Sequence, residues 1–309
     1  MAHELVKPAV DPAMAEAMRP RIIVSFILVT LIWGSTWLVI KDQISMVPPG
    51  WTVTYRFALA TIGMFALAVW RKETLRLLPG GVIIAAFVGI SQFMMNFQFV
   101  YRAELHITSG LVAVCFAMLM VPNALLGRIF LGQHITRGFT IGSAIAIGGI
   151  ALLMTHEYRA APAGMNVPLG ILLTVGGILS ASVANVAQGS ERAKRQAMVP
   201  LLAWAMLAGT LCDAVFAYAT SGPPVWDGRW QYAAGIAYLA IVGSVITFPL
   251  YFNLIRLIGP GRAAYNGVAV PVVAMILSTL FEGYRWTTLA GGGAVLAMVG
   301  LVIALRSRR

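Results

Sequence analysis

The chain has 309 residues, 59% of them hydrophobic and only 11% charged, with a mean hydropathy of +0.83 and a formal net charge of +11. A soluble domain carries about 25% charged residues, so this composition excludes an ordinary water-soluble fold. The positive charge does not point to nucleic acid, because its placement along the chain has a membrane explanation.

Ten apolar stretches fill the chain almost end to end. An α-helix rises 1.5 Å per residue, so about 20 apolar residues cross a ~30 Å hydrocarbon core. Residues 1–21 precede the first stretch. They are polar, hold Pro8, Pro12 and Pro20, and lack the apolar core of a secretory signal, so they read as a cytoplasmic tail.

The first segment, 22–40, carries Trp33 and Trp37, four apart and therefore on one helical face, with Lys41 a turn further on. The pair reads either as an aromatic wall for a substrate or as rings that pack, face lipid or anchor the interface. The second, 50–70, holds Arg56 near its start. Arg56 either reaches back to the interface or attracts a substrate carboxylate. The third, 81–101, places Gln92 and Asn96 on one face, with Tyr101 at its end. The fourth, 106–127, contains Pro122, and the fifth, 137–155, is rich in Gly.

A linker, 156–166, leads to the sixth segment, 167–187, with Ser182, Asn185 and, just beyond it, Gln188 at helical spacing. The seventh, 199–220, holds Asp213. An intramembrane acid is a candidate for ion or proton coupling, or else pairs across helices. The eighth, 231–252, carries Ser244, Thr247, Pro249 and Tyr251. The ninth, 262–281, carries Tyr265, Asn266 and Pro271. The tenth spans 287–305, and 306–309 form a basic tail.

Uncharged amides and hydroxyls at mid-depth cost free energy unless they find partners or water. Polar stripes on several segments predict either a shared wet cavity or hydrogen bonds between close-packed helices. Pro122, Pro249 and Pro271 each free a backbone carbonyl, as hinges or as static kinks. Glu104 and Glu282 stand at segment ends, where water is near. Cys115 and Cys212 show neither metal spacing nor a disulfide framework.

The basic residues set the expected orientation. Arg71, Lys72 and Arg76, then Arg128 and Arg137, Arg192, Lys194 and Arg195, and Arg256 and Arg262 crowd alternate loops, together with Lys7, Arg19 and Arg21 in the tail. The intervening loops carry a single Lys or Arg each: Lys41, Arg102, Arg159, Arg229 and Arg285. The dense side is cytoplasmic by the positive-inside rule, which puts both termini there and lets the basic loops meet anionic lipid.

The chain also repeats itself. Pro122, Phe130-Leu131-Gly132-Gln133, Gly142 and Gly149 recur as Pro271, Leu280-Phe281-Glu282-Gly283, Gly293 and Gly300, offset by 149 to 151 residues. The predicted organisation is a first five-helix repeat, 22–155, the linker, and a second, 167–305. An odd number of spans inverts the second copy, and inverted repeats are typical of alternating-access transporters with a midplane site between the halves.

The run Leu31-Ile32-Trp33-Gly34-Ser35-Thr36-Trp37 to Lys41 resembles the first helix of the drug/metabolite transporter superfamily, in its ten-helix EamA branch. Pro49 followed by Tyr55-Arg56-Phe57 is similar to the start of its second helix. Pro122, Leu131-Gly132-Gln133 and Gly142 resemble the end of a repeat, with Gln133 where the family usually has Glu. The resemblance implies an all-α polytopic membrane protein of ten helices in two inverted repeats, working as an exporter or facilitator of small metabolites. Amino acids, aromatic ones included, are the expected substrates.

The candidate substrate-binding residues are Trp33, Trp37, Arg56, Gln92, Asn96, Asn185, Ser244, Tyr251 and Tyr265. The alternatives are transport of amines or drug-like cations, or an intramembrane enzyme acting on lipid. The chain has no H-E-x-x-H, P-loop or G-x-S-x-G, so no catalytic residue, metal or cofactor is expected. The expected partners are a small-molecule substrate and membrane lipid, with no nucleic acid and no obligate protein partner. The expected location is a bacterial inner membrane.

Overall fold

A computed structural model describes residues 12–132, 134–160, 165–254 and 266–306. Tyr265, Gln133, Arg256, Arg262 and Lys7 lie outside the described residues. The described residues form helices α1 (Pro12–Gln43), α2 (Pro49–Trp70), α3 (Gly81–Ala103), α4 (Ser109–Leu131) and α5 (Arg137–Ala160). Then follow α6 (Val167–Gln188), α7 (Met198–Ser221), α8 (Trp230–Leu254), α9 (Asn266–Phe281) and α10 (Thr288–Arg306), with one helical turn, Glu191–Lys194, between α6 and α7. Helices α1 to α8 are long and apolar enough to cross a membrane. The apolar helices α9 and α10 are shorter over the described residues.

Two boundaries differ from the sequence reading. The expected tail is helical from Pro12, because Ala13, Ala15, Ala17 and their neighbours are strong helix formers. The expected linker is helical up to Ala160, since nothing between His156 and Arg159 breaks a helix. Elsewhere the local signals act where they stand. Pro49 opens α2, and the Asn166 side chain caps α6 through the Leu169 N–H at 3.1 Å. Gly132 ends α4 at φ 66°, a left-handed turn that costs glycine nothing.

The outward surface is apolar. Ile83 is 76% exposed and Val215 72% exposed, beside Ile62, Val82 and Ile129. An apolar face this extensive belongs against lipid. Inside, α2 packs on α7, α4 on α9 and α5 on α10. In addition α1 packs on α9 as α4 does on α6, and α3 packs on α7 as α8 does on α2. Exchanging each helix with the one five places on maps these pairings onto one another.

The α5–α10 seam is made of small residues. A Cβ on Gly149 would stand 2.3 Å from the Ala297 nitrogen, and one on Gly300 would stand 2.3 Å from the Ala146 nitrogen. Backbones approach this closely in lipid because dispersion contact there does what the hydrophobic effect does in water.

Both α3 and α8 widen into π-helical turns at matching places, Gly89–Asn96 and Tyr238–Ile246. Such turns leave carbonyls without their usual donors and often mark functional sites.

Candidate functional site

A cavity of about 160 Å³ is reached by α1, α2, α3, α4, α6, α8 and α9; the widened turn of α3 lends it Gln92 and Asn96, and α8 lines it just beyond its own widened turn. Six residues singled out by helical spacing line it: Trp33, Trp37, Gln92, Asn96, Asn185 and Tyr251. Arg56 lines it as well. The remaining wall includes Phe97, Phe116, Phe248 and Phe252, small and aliphatic side chains, and Asn266, Gly267 and Thr36. A Phe inside an apolar helix carries no sequence mark that separates a cavity wall from packing.

Trp33 is fixed by the α8 turn. Its indole N–H donates to the Gly243 carbonyl in that turn at 3.2 Å, and its ring lies 4.8 Å from Tyr251 and 5.5 Å from Phe248. The Trp37 ring lies 5.3 Å from that of Phe116, tilted by 53°, and its buried N–H has no partner. The Asn96 and Asn266 side-chain oxygens are also buried without partners, while the Asn266 amide donates to the Thr30 hydroxyl at 3.2 Å. Buried polar atoms without partners are uncommon, and on a cavity wall they are positioned to meet a solute or water.

Arg56 turns inward and is 1% exposed, so it does not extend to the interface. Its Nη1 donates to the Tyr101 hydroxyl at 3.1 Å, and its Nε and Nη2 donate to Ser244 Oγ at 3.3 Å each. The guanidinium carbon lies 4.5 Å from the Phe97 ring centre and 5.2 Å from that of Phe57. Among the described residues no carboxylate forms an ion pair with it. The contacts use only part of its five-donor fork. A buried cation held by neutral groups and open to a cavity offers a docking point for an anionic group.

Ser244 corrects the sequence reading. It is 0% exposed and is absent from the wall; it passes its own proton to the Leu239 carbonyl at 2.8 Å and holds Arg56 from behind. Asp213 is also off the cavity. It is fully buried between α7 and α3, accepts from Gln98 Nε2 at 2.7 Å, and Gln98 in turn accepts from Arg102. Ser182 is buried away from the wall.

None of the three prolines lines the cavity. Pro271 does free the carbonyl of Gly267, which does line it, and Pro122 follows a tightened turn at Ala117–Leu119. Glu104 differs most from expectation: it is fully buried rather than near water, with Lys41 of α1 bonded to its backbone carbonyl.

The sequence pattern of the EamA-like transporter family matches the chain twice, over residues 20–155 and 168–306. Protein PagO of Salmonella typhimurium is 24% identical, over 91% of this chain and 90% of its own length. A probable amino-acid metabolite efflux pump of Escherichia coli is 24% identical, over 90% and 92%. The Escherichia coli inner membrane transporter YedA, uncharacterized in its description, is 27% identical over 82% and 80%. One crystal structure, 18% identical, superposes with a TM-score of 0.68 over 93% of this chain and 98% of the other. At that identity it speaks for the fold alone.

Proposed function

The chain belongs to the EamA-like transporter family, and on that premise we propose that it carries small carboxylate-bearing metabolites, amino acids above all, across the inner membrane by alternating access. The carrying observation is Arg56: a guanidinium buried in the cavity wall, held by Ser244 and Tyr101, with no carboxylate of the described chain paired to it. Desolvation makes such a charge costly unless a partner arrives, and a substrate carboxylate is that partner. Trp33, Trp37 and Tyr251 then offer apolar area to the rest of the solute, which favours large or aromatic side chains. The name of the Escherichia coli efflux pump agrees with this substrate class.

The proposal includes ten spans in two inverted five-helix repeats with both termini cytoplasmic, and Pro122 and Pro271 as related bending points. The exchange symmetry of the helix contacts and the double family match support the repeats. The basic loops support the orientation. Asp213, tied through Gln98 to Arg102, fits a strut between α7 and α3.

The purified protein is tested by thermal shift against amino acids, the matching amines and the matching carboxylic acids, then by counterflow in liposomes. Stabilisation by amino acids and acids but not by amines is expected. Stabilisation by the amines alone overturns the carboxylate reading and favours cationic solutes held by the aromatic wall.

A further inference from the structure

At the Lys41 end of α1, next to Ile40 of the cavity wall, stands a polar cluster that the transport reading above leaves unused. Lys41, near the end of α1, donates to the backbone carbonyl of Glu104 in the turn after α3. Ser109, which opens α4, gives its hydroxyl to Glu282 just past α9 at 2.6 Å and its N–H at 3.4 Å. The α3–α4 turn is thus tied to α1 on one side and to α9 on the other. Tyr101 and Arg56 lie beneath it.

Glu104 is the first residue beyond the α3 span. Its side chain is 0% exposed, and neither carboxylate oxygen has a hydrogen-bond donor. Lys41 on α1 satisfies the backbone of Glu104, not its carboxyl group. The charged groups close enough to act on it are Lys41, Glu282 and Arg56, with the Tyr101 hydroxyl also near and His106 two residues on in the same turn. Burial pushes the carboxyl well above its ordinary range. Lys41 draws it down, Glu282 pushes it up again, and Arg56 draws it down.

We propose that Glu104 is a proton-binding site whose occupancy closes the Lys41 end of the cavity. With the proton bound, Glu104 sits dry beside Glu282 and the α1–turn–α9 ties hold. When the proton leaves to water on that side, the carboxylate requires hydration and a distance from Glu282, and both are obtained by parting the ties. The closed form binds the proton more tightly, so acid favours closure and rising pH favours opening. The inference rests on the alternating-access reading, but its test needs no substrate, so the two fail separately.

Pairs of spin labels in nanodiscs, on a Cys115→Ala/Cys212→Ala background, read the ties directly. One pair is Leu105→Cys with Met46→Cys, and the other is Leu105→Cys with Trp286→Cys. The short-distance population is expected to dominate at pH 5.5, and the closed-to-open ratio to fall by up to about tenfold per pH unit through the transition. E104Q should hold the short distance at every pH. E282Q should move the midpoint to higher pH, because it removes the repulsion that drives ionised Glu104 to open the ties; this variant decides the matter if E104Q fails to fold. His106→Gln should leave the midpoint unchanged. Distances that do not respond to pH, a pH response surviving in E104Q, an unmoved midpoint in E282Q, or a response lost in His106→Gln would each overturn the proposal.

Discussion

Arg56 and Trp33 share one wall and hold different parts of a solute. A charge-assisted bond to a carboxylate contributes roughly 1.5–3 kcal/mol. Arg56→Ala should therefore weaken amino-acid binding roughly ten- to a hundredfold and change amine binding far less, read by titration at matched protein levels. Arg56→Lys should restore only part of the loss, because an ammonium cannot reproduce the fork that reaches Ser244 and Tyr101 together. Trp33→Ala should instead penalise large and aromatic solutes, so the two variants rank one panel differently. If Arg56→Ala leaves amino-acid transport intact, its role is structural. Asp213→Asn keeps an acceptor for Gln98 and should preserve both stability and transport. Asp213→Leu leaves the buried Gln98 amide without its acceptor and should cost about 1–3 kcal/mol. Lost transport in Asp213→Asn at unchanged melting temperature would make Asp213 a coupling acid instead of a strut.

At the scale of elements, the widened turns of α3 and α8 position wall residues, while the small-residue seam joins α5 to α10 away from the wall. The α8 turn presents the Gly243 carbonyl to Trp33 and sets Ser244 behind Arg56. Gly149→Ala puts a methyl group against the Ala297 backbone, with no flexible side chain to yield. Overpacking of that kind costs roughly 1–3 kcal/mol and should lower the melting temperature. The neighbouring Gly148 meets nothing within 4 Å, so Gly148→Ala should be neutral or slightly stabilising. Equal effects of the two substitutions, measured side by side in one detergent, would contradict the packing of α5 on α10.

For the whole molecule the testable quantity is orientation. In a background without Cys115 and Cys212, Asp42→Cys and Asp227→Cys should label from outside with an impermeant thiol reagent. Glu73→Cys and Glu191→Cys should react only after permeabilisation. The motive is the alternation of dense and sparse basic loops. The opposite pattern reverses the membrane sidedness, and a mixed pattern removes the inverted repeat along with the transport cycle built on it. The exchange symmetry of helix contacts makes the mixed pattern the more damaging outcome.

Helix positions, the membrane as solvent and much of the wall were legible in the chain because they are local properties. Runs of apolar residues, Pro49 and Gly132 at helix ends, and Gln92 with Asn96 or Trp33 with Trp37 at helical spacing need only their neighbours in sequence. Tertiary structure decided the rest. Ser244 carries the same polar signal as Asn185, yet it stands behind Arg56 and off the wall, in the stretch where α8 widens. Phe97, Phe116, Phe248 and Phe252 are indistinguishable from packing residues until several helices converge on them. Glu104, at a segment end, reads as wet, yet it is fully buried, with Lys41 of another helix bonded to its backbone. Sequence determined which residues enter the membrane, because transfer free energy is summed residue by residue along the chain. The packing of helices in lipid decided which of them face one another, because that depends on surfaces brought together from distant segments.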